Sequence, residues 1–174
     1  PNCGAVTRLQ SRVKVYRDDS LVFLGRVIED GVGLNHRRTY AAEGALAFLL
    51  DSVQRPFSFD GAVPEFFTQL LNTHNAQVNA EQQIGVGSVT VEPGVRMTAV
   101  SDEYASVWSV LKARLVDLFG GYLVLTFDPN EHPILSYLAE PPDTATQHIE
   151  FGENLIDLAV TRNADETYTA CIPL

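Results

Sequence analysis

Ser101-Asp102-Glu103-Tyr104-Ala105-Ser106-Val107-Trp108-Ser109-Val110-Leu111-Lys112-Ala113-Arg114-Leu115-Val116-Asp117-Leu118-Phe119-Gly120-Gly121-Tyr122-Leu123-Val124-Leu125-Thr126-Phe127 holds two hydrophobic patterns in succession. Val107, Trp108, Leu111, Leu115 and Leu118 recur at helical spacing, one apolar stripe on a helix. Ser101 is placed to cap that helix, with Asp102 and Glu103 favouring its positive end. Gly120 is a suitable stop. Tyr122 to Phe127 then reads as a strand. A helix that runs straight into a strand, in a chain of mixed runs, predicts an α+β fold.

Reading outward, Ile134 to Leu138 is expected to pair with that strand across Asp128-Pro129-Asn130. Pro141-Pro142-Asp143 is a connector, and Leu155–Thr161 and Thr167–Ile172 form a final pair around Asn163-Ala164-Asp165. Upstream, Gln83 to Val91 is strand-like and ends at Glu92-Pro93-Gly94. Pro64 and Glu65 suit the first turn of a helix whose core face is Phe66, Phe67, Leu70 and Leu71. Gln54 to Ala62, with Pro56 and Gly61, reads as loop. Before it, residues 12–18 and Leu21 to Ile28 form a hairpin around Asp18-Asp19-Ser20, and Gly31 and Gly33 break it. Arg37 to Ala42 is a third strand that leads into a helix over 44–53, where Leu46, Leu49, Leu50 and Val53 fall at helical spacing. The expected fold is therefore α+β: mixed β-hairpins and small sheets with about three helices.

The 174 residues suit one domain or two small ones, and 45% apolar with 20% charged residues is ordinary for a globular chain. No apolar stretch approaches the roughly 18 residues of a membrane span. The net charge of −10 argues against nonspecific nucleic-acid binding, which needs clustered Lys and Arg. Solubility is the simplest use of that charge; a non-sticking wall for passing DNA is another. Cys3 and Cys171 lie near opposite ends and can pair if the termini meet, but two isolated thiols more often mark a reduced intracellular chain, and their count excludes a disulfide scaffold. The start reads as loop, not as a signal peptide. With Met97 as the only methionine, either an initiator Met has been removed or the chain is a fragment.

A search for chemistry returns no site. His36, His74, His132 and His148 form no HxH or HExxH pair, so spacing gives no metal centre. His74 is expected to hydrogen-bond a helix end or a nearby loop, and His132 to be a solvated loop residue. Gly31-Val32-Gly33 and Gly85-Val86-Gly87 lack the third glycine and helix of a dinucleotide site. Gly120-Gly121 is a helix stop and tight turn rather than an anion cradle. No G-x-S-x-G elbow occurs, and Cys3 has neither a neighbouring helix nor a histidine to activate it. Asp18-Asp19 and Asp102-Glu103 have structural reasons for their places. Trp108 and Phe66-Phe67, at helical spacing beside leucines, are core rather than a sugar-binding groove. No catalytic, cofactor-binding or metal residue is assigned.

Several short phrases in a fixed order carry a family resemblance over residues 11–174. Ser11-Arg12-Val13-Lys14-Val15-Tyr16 precedes Phe23-Leu24-Gly25-Arg26-Val27. Glu43-Gly44-Ala45-Leu46-Ala47-Phe48-Leu49-Leu50-Asp51-Ser52, His74-Asn75-Ala76-Gln77-Val78 and Gly120-Gly121-Tyr122-Leu123 follow. Phe151-Gly152-Glu153-Asn154-Leu155-Ile156-Asp157 and Thr169-Ala170-Cys171-Ile172-Pro173-Leu174 complete the series. Together they resemble the N-terminal baseplate-hub region of siphophage and prophage tail-tip proteins, the tail-associated lysin or prophage endopeptidase tail family. Phe48 stands where that family often has tyrosine, and Ala42 where it often has cysteine.

The resemblance implies a structural part of a tail tip, set in a homotrimeric ring at the end of the tail tube. Distal tail and tape-measure proteins are its implied partners, and the virion tail tip, after synthesis in the bacterial cytoplasm, its implied location. Residues 1–43 would be a hairpin part of a tube-like domain, 44–150 an α+β domain, and 151–174 strands returning to the tube-like domain. The stop at Leu174 and the lack of upstream strands imply an excised piece. No catalysis is implied here, although a peptidoglycan hydrolase module often lies elsewhere in such chains. The alternative is a cell-wall carbohydrate- or peptide-binding module of a phage tail protein.

Overall fold

The hairpin expected near the start forms because Asp18 and Asp19 both take positive φ, 49° and 63°. A two-residue hairpin turn needs that backbone, and aspartate tolerates it better than most residues. The computed structural model describes residues 6–33 and 38–142. The turn joins β1 (Arg12–Arg17) to β2 (Ser20–Val32), which continues antiparallel to β3 (Arg38–Gly44). Gly31 does not break β2: it is opposite Thr39 in the ladder, so strand pairing overrides the local preference of glycine. At Gly25 the strands approach so closely that a Cβ would lie 2.1 Å from the Glu43 carbonyl oxygen. The sheet order is β1-β2-β3.

The chain then leaves this sheet for a body built from two two-stranded ladders, a three-stranded sheet and two helices. A 3₁₀ turn (Ala45–Leu50) stands where a helix over 44–53 was expected. It ends early because Val53–Gln54 is β4, paired with β8 (Ala105–Ser106). Most of the segment expected as loop is strand. Phe57–Ala62 forms β5, antiparallel to β7 (Arg96–Ser101). The cause is the alternation of Phe57 and Phe59, whose rings pack 5.6 and 4.8 Å from Phe66 on helix α1 (Val63–Asn75). The start of α1 is held by Glu65, whose carboxylate accepts the Ala62 N–H at 2.9 Å. Phe66, Phe67, Leu70 and Leu71 are wholly buried, as the spacing predicts.

The stretch that decided the fold is divided differently from its reading. Ser101 ends β7, and Ser106 caps the helix by accepting the Ser109 N–H at 3.1 Å. Asp102 and Glu103 thus lie ahead of the helix rather than in its first turn. Helix α2 (Val107–Leu111) continues through a π turn (Lys112–Val116) into a last α turn (Asp117–Phe119). A π turn takes up extra residues, so the core-facing stripe advances by fours through buried Leu111 and Leu115 to half-buried Phe119. Leu118, expected in that stripe, is 63% exposed. Trp108 is half-buried against the core.

Gly120 and Gly121 both take positive φ, and a Cβ on Gly121 would lie 2.6 Å from Val91 and 2.8 Å from the Leu138 carbonyl oxygen. This tight corner sends the chain into β9 (Tyr122–Phe127), which pairs antiparallel with β10 (Pro133–Leu138) as expected. Asp128 holds the turn between them by accepting the N–H groups of Asn130 and His132, both at 2.8 Å. β10 also pairs in parallel with β6 (Gly85–Val89). The α+β class is as expected. No helix among the described residues is long and apolar enough to cross a membrane. The expected strands within 151–174, and Cys3, His36, His148 and Cys171, lie outside the described residues.

Candidate functional site

The end of α1 carries His74, Asn75 and Gln77, and each reaches a different segment. Asn75 and Gln77 perform the same operation. The Asn75 side-chain amide donates to the Ile84 carbonyl and accepts the Ile84 N–H, both at 2.8 Å. The Gln77 amide donates to the Val53 carbonyl at 2.9 Å and accepts its N–H at 3.0 Å. Each side chain therefore satisfies both polar groups of one residue: Ile84, which lies outside any strand, and Val53, which is paired with Ser106 in the β4–β8 ladder.

His74 lies between these two clamps and is fully buried. Its Nε2 donates to the Gln82 carbonyl at 3.0 Å, which leaves Nδ1 to accept the Ser52 hydroxyl at 2.8 Å. A carbonyl can only accept, so this arrangement selects the neutral tautomer with the proton on Nε2. Burial pushes the His74 pKa down, opposed by the Gln82 carbonyl and by nearby Asp51. His74 thus does what its sequence position suggested, bonding a loop, and adds a bond to Ser52 that no spacing rule foretold.

Ser52 is joined through the chain to Asp51, the hub of a second set of contacts. Arg26 Nη2 donates to Asp51 Oδ1 at 2.9 Å, and Arg26 Nε to Glu43 at 2.6 Å. Gln82 Nε2 donates to Asp51 Oδ2 at 2.9 Å. The Arg26 guanidinium also lies 5.6 Å from the Phe48 ring centroid, within cation–π range. Residues from four separate phrases of the sequence, at 25–26, 43–52, 74–78 and 82, thus form one connected polar clasp.

A serine hydroxyl on a histidine nitrogen has the outline of a nucleophile and its base. Here both side chains are fully shielded from solvent, and the second ring nitrogen faces a backbone carbonyl. No substrate can reach Ser52 Oγ in this conformation; the pair ties the 45–52 segment to α1. The other sequence candidates disperse. Asp18-Asp19 forms a hairpin turn, Asp102-Glu103 a bend, and Phe66-Phe67 the core. Gly31-Val32 lies in a strand, and Gly85-Val86-Gly87 opens β6. His132 is exposed in the β9–β10 turn, the solvated loop residue its sequence position suggested. Among the described residues no group of three His, Cys, Asp or Glu side chains could hold a metal ion.

Two further cavities border α1. One, about 680 Å³, is a shallow groove along Pro64, Glu65, Thr68, Gln69 and Asn72. The other, about 380 Å³, is lined by Val53, Arg55, Gln77 and Gln54, whose buried Oε1 has no partner. No family model matches the chain, and no curated protein or solved structure is significantly similar to it.

Proposed function

We propose that this chain is a structural segment of a phage or prophage tail tip, part of the baseplate hub that forms a trimeric ring beneath the tail tube. One observation supports the reading above the others. The phrases on which the family resemblance rests, around Gly25-Arg26, Glu43 to Ser52 and His74 to Val78, meet in the polar clasp. Their polar side chains are used to hold peptide segments together rather than to face a ligand. Distinctive residues that join segments of the chain to one another suit a building part of an assembly.

The strand arrangement adds support. Among the described residues the outer edges of β1 and β3 pair with no other strand, and Val15, Val22, Ile28 and Tyr40 of this sheet are each more than 40% exposed. Open edges and exposed apolar residues are what a subunit would present to neighbours. In a closed ring each contact is heterologous, one patch against a different patch. The reading assigns no catalysis to this segment. Its test is the mass of the full-length protein by light scattering. A trimer is expected; a protein that stays monomeric at high concentration would overturn the ring.

A further inference from the structure

The β1–β3 sheet and the body that follows it differ in charge. Residues 6–44 carry seven Lys and Arg against five Asp and Glu; residues 45–142 carry four against eleven. The cations of the sheet's inner face meet the anions of the body one by one. Arg12 pairs with Glu81, Lys14 with Glu131 and Arg26 with Asp51. The Tyr16 hydroxyl adds a bond to Glu131 at 2.7 Å.

Little else joins the two parts. Among the described residues no strand of the sheet pairs with a strand of the body and no backbone–backbone hydrogen bond crosses between them, although Arg12 Nη2 also donates to the Glu81 carbonyl. The apolar link is narrow: Leu24 enters the core cluster and Leu21 packs against it. On either side of Leu24 the described residues leave the seam unfilled. One cavity of about 250 Å³ lies between Arg12, Arg26, Phe48 and Gln82. Another of about 200 Å³ lies between Lys14, Leu24, Ala80 and Glu131. Within residues 6–142 the chain passes from sheet to body once, at Gly44–Ala45, where Gly44 is extended and Ala45 begins the 3₁₀ turn.

We infer that the β1–β3 sheet is a salt-gated flap, hinged at Gly44–Ala45 and held closed by the Leu24 plug and the Arg26–Asp51 latch. The three ion pairs are not equal. The Arg12 and Lys14 pairs are substantially exposed and contribute little each. Arg26 has only 12% of its side chain exposed and also holds Glu43, so its removal leaves two carboxylates without their cation. Opening would uncover Leu21, Leu24 and Phe48 while leaving the body's own sheets and helices intact. This inference does not rest on the tail-tip reading.

The test is the labelling rate of a thiol placed at the plug. In the full chain, Leu24→Cys is introduced together with Cys3→Ser and Cys171→Ser, and its reaction with a maleimide is followed. Trp108 fluorescence reports whether the body stays folded. Raising the salt from about 0.01 to about 1 M, which shortens the screening length from ~30 to ~3 Å, should speed labelling several-fold with Trp108 unchanged. Adding Arg26→Gln should speed it at least about tenfold at low salt. Glu131→Gln, a milder change that spares the plug and latch, should give an increase of about two- to threefold. Labelling that proceeds only at the rate of global unfolding, and ignores salt and Glu131→Gln, would overturn the flap.

Discussion

Asn75 and Gln77 make the same pair of hydrogen bonds from the same helix end, so their removal isolates the effect of burial. Ile84, the peptide that Asn75 clamps, is fully buried. Val53, clamped by Gln77, is 42% exposed. Asn75→Ala strands a donor and an acceptor where water cannot replace the lost partner. Each costs about 1–3 kcal/mol, so the variant should lose about 2–6 kcal/mol. Gln77→Ala removes one bond more, since its amide also donates to the Thr73 carbonyl at 2.9 Å, but solvent can take these bonds over, and the loss should be about 1 kcal/mol or less. Against a typical total of about 5–15 kcal/mol, the first change is severe and the second mild. Urea denaturation followed by Trp108 fluorescence reads both. With a slope of about 1–3 kcal/mol per molar urea, the Asn75→Ala midpoint should fall by at least about 0.7 M and the Gln77→Ala midpoint by much less. Equal losses, or a larger loss for Gln77→Ala, would refute the argument that burial sets the worth of each clamp.

Further outcomes follow from the same geometry. Burial lowers the folded-state pKa of His74 below its unfolded value near 6.5, so the unfolded chain binds the proton first. Its stabilising contribution is therefore complete above that pH and is lost as pH falls below it, by up to about 1.4 kcal/mol per unit. His74→Gln should flatten that part of a stability-against-pH curve. Gly121→Ala forces a side chain into positive φ and against Val91 and the Leu138 carbonyl, and should cost about 3 kcal/mol by thermal or urea unfolding. Tyr137→Phe removes the bond from its hydroxyl to the Gly120 carbonyl, 2.6 Å long, with the ring still packed on Phe67. The loss should be about 1 kcal/mol, measured the same way.

The α+β class, the hairpin turn at Asp18-Asp19, helix α1 and the β9–β10 pair were legible because each is marked locally, by turn chemistry or by period. The errors fall where a distant partner decides. The only local sign of a strand at Phe57 to Ala62 is the Phe57/Phe59 alternation, which Pro56 and Gly61 outweigh in the sequence; pairing with β7 and packing on the Phe66 ring decide it. β7 has no local mark in the sequence, and Ser101, which looks like the helix cap, ends that strand while Ser106 supplies the cap. Leu118 was misplaced because an α-helical period was carried across a π turn, which no single residue signals. The clasp was half legible. His74 could be read as bonding a loop, but its meeting with Ser52, and the reach of Arg26 to Asp51, depend on tertiary docking that the spacing of residues does not record.

The most direct test of the proposed tail-tip role is to locate the protein on particles. Antibody raised against this chain, coupled to gold, would be applied to tailed particles purified from the strain that encodes it and viewed by electron microscopy. The account predicts gold at the distal end of the tail and nowhere else. Particles that carry the protein along the tail shaft or at the head, or intact tails that lack it altogether, would contradict it.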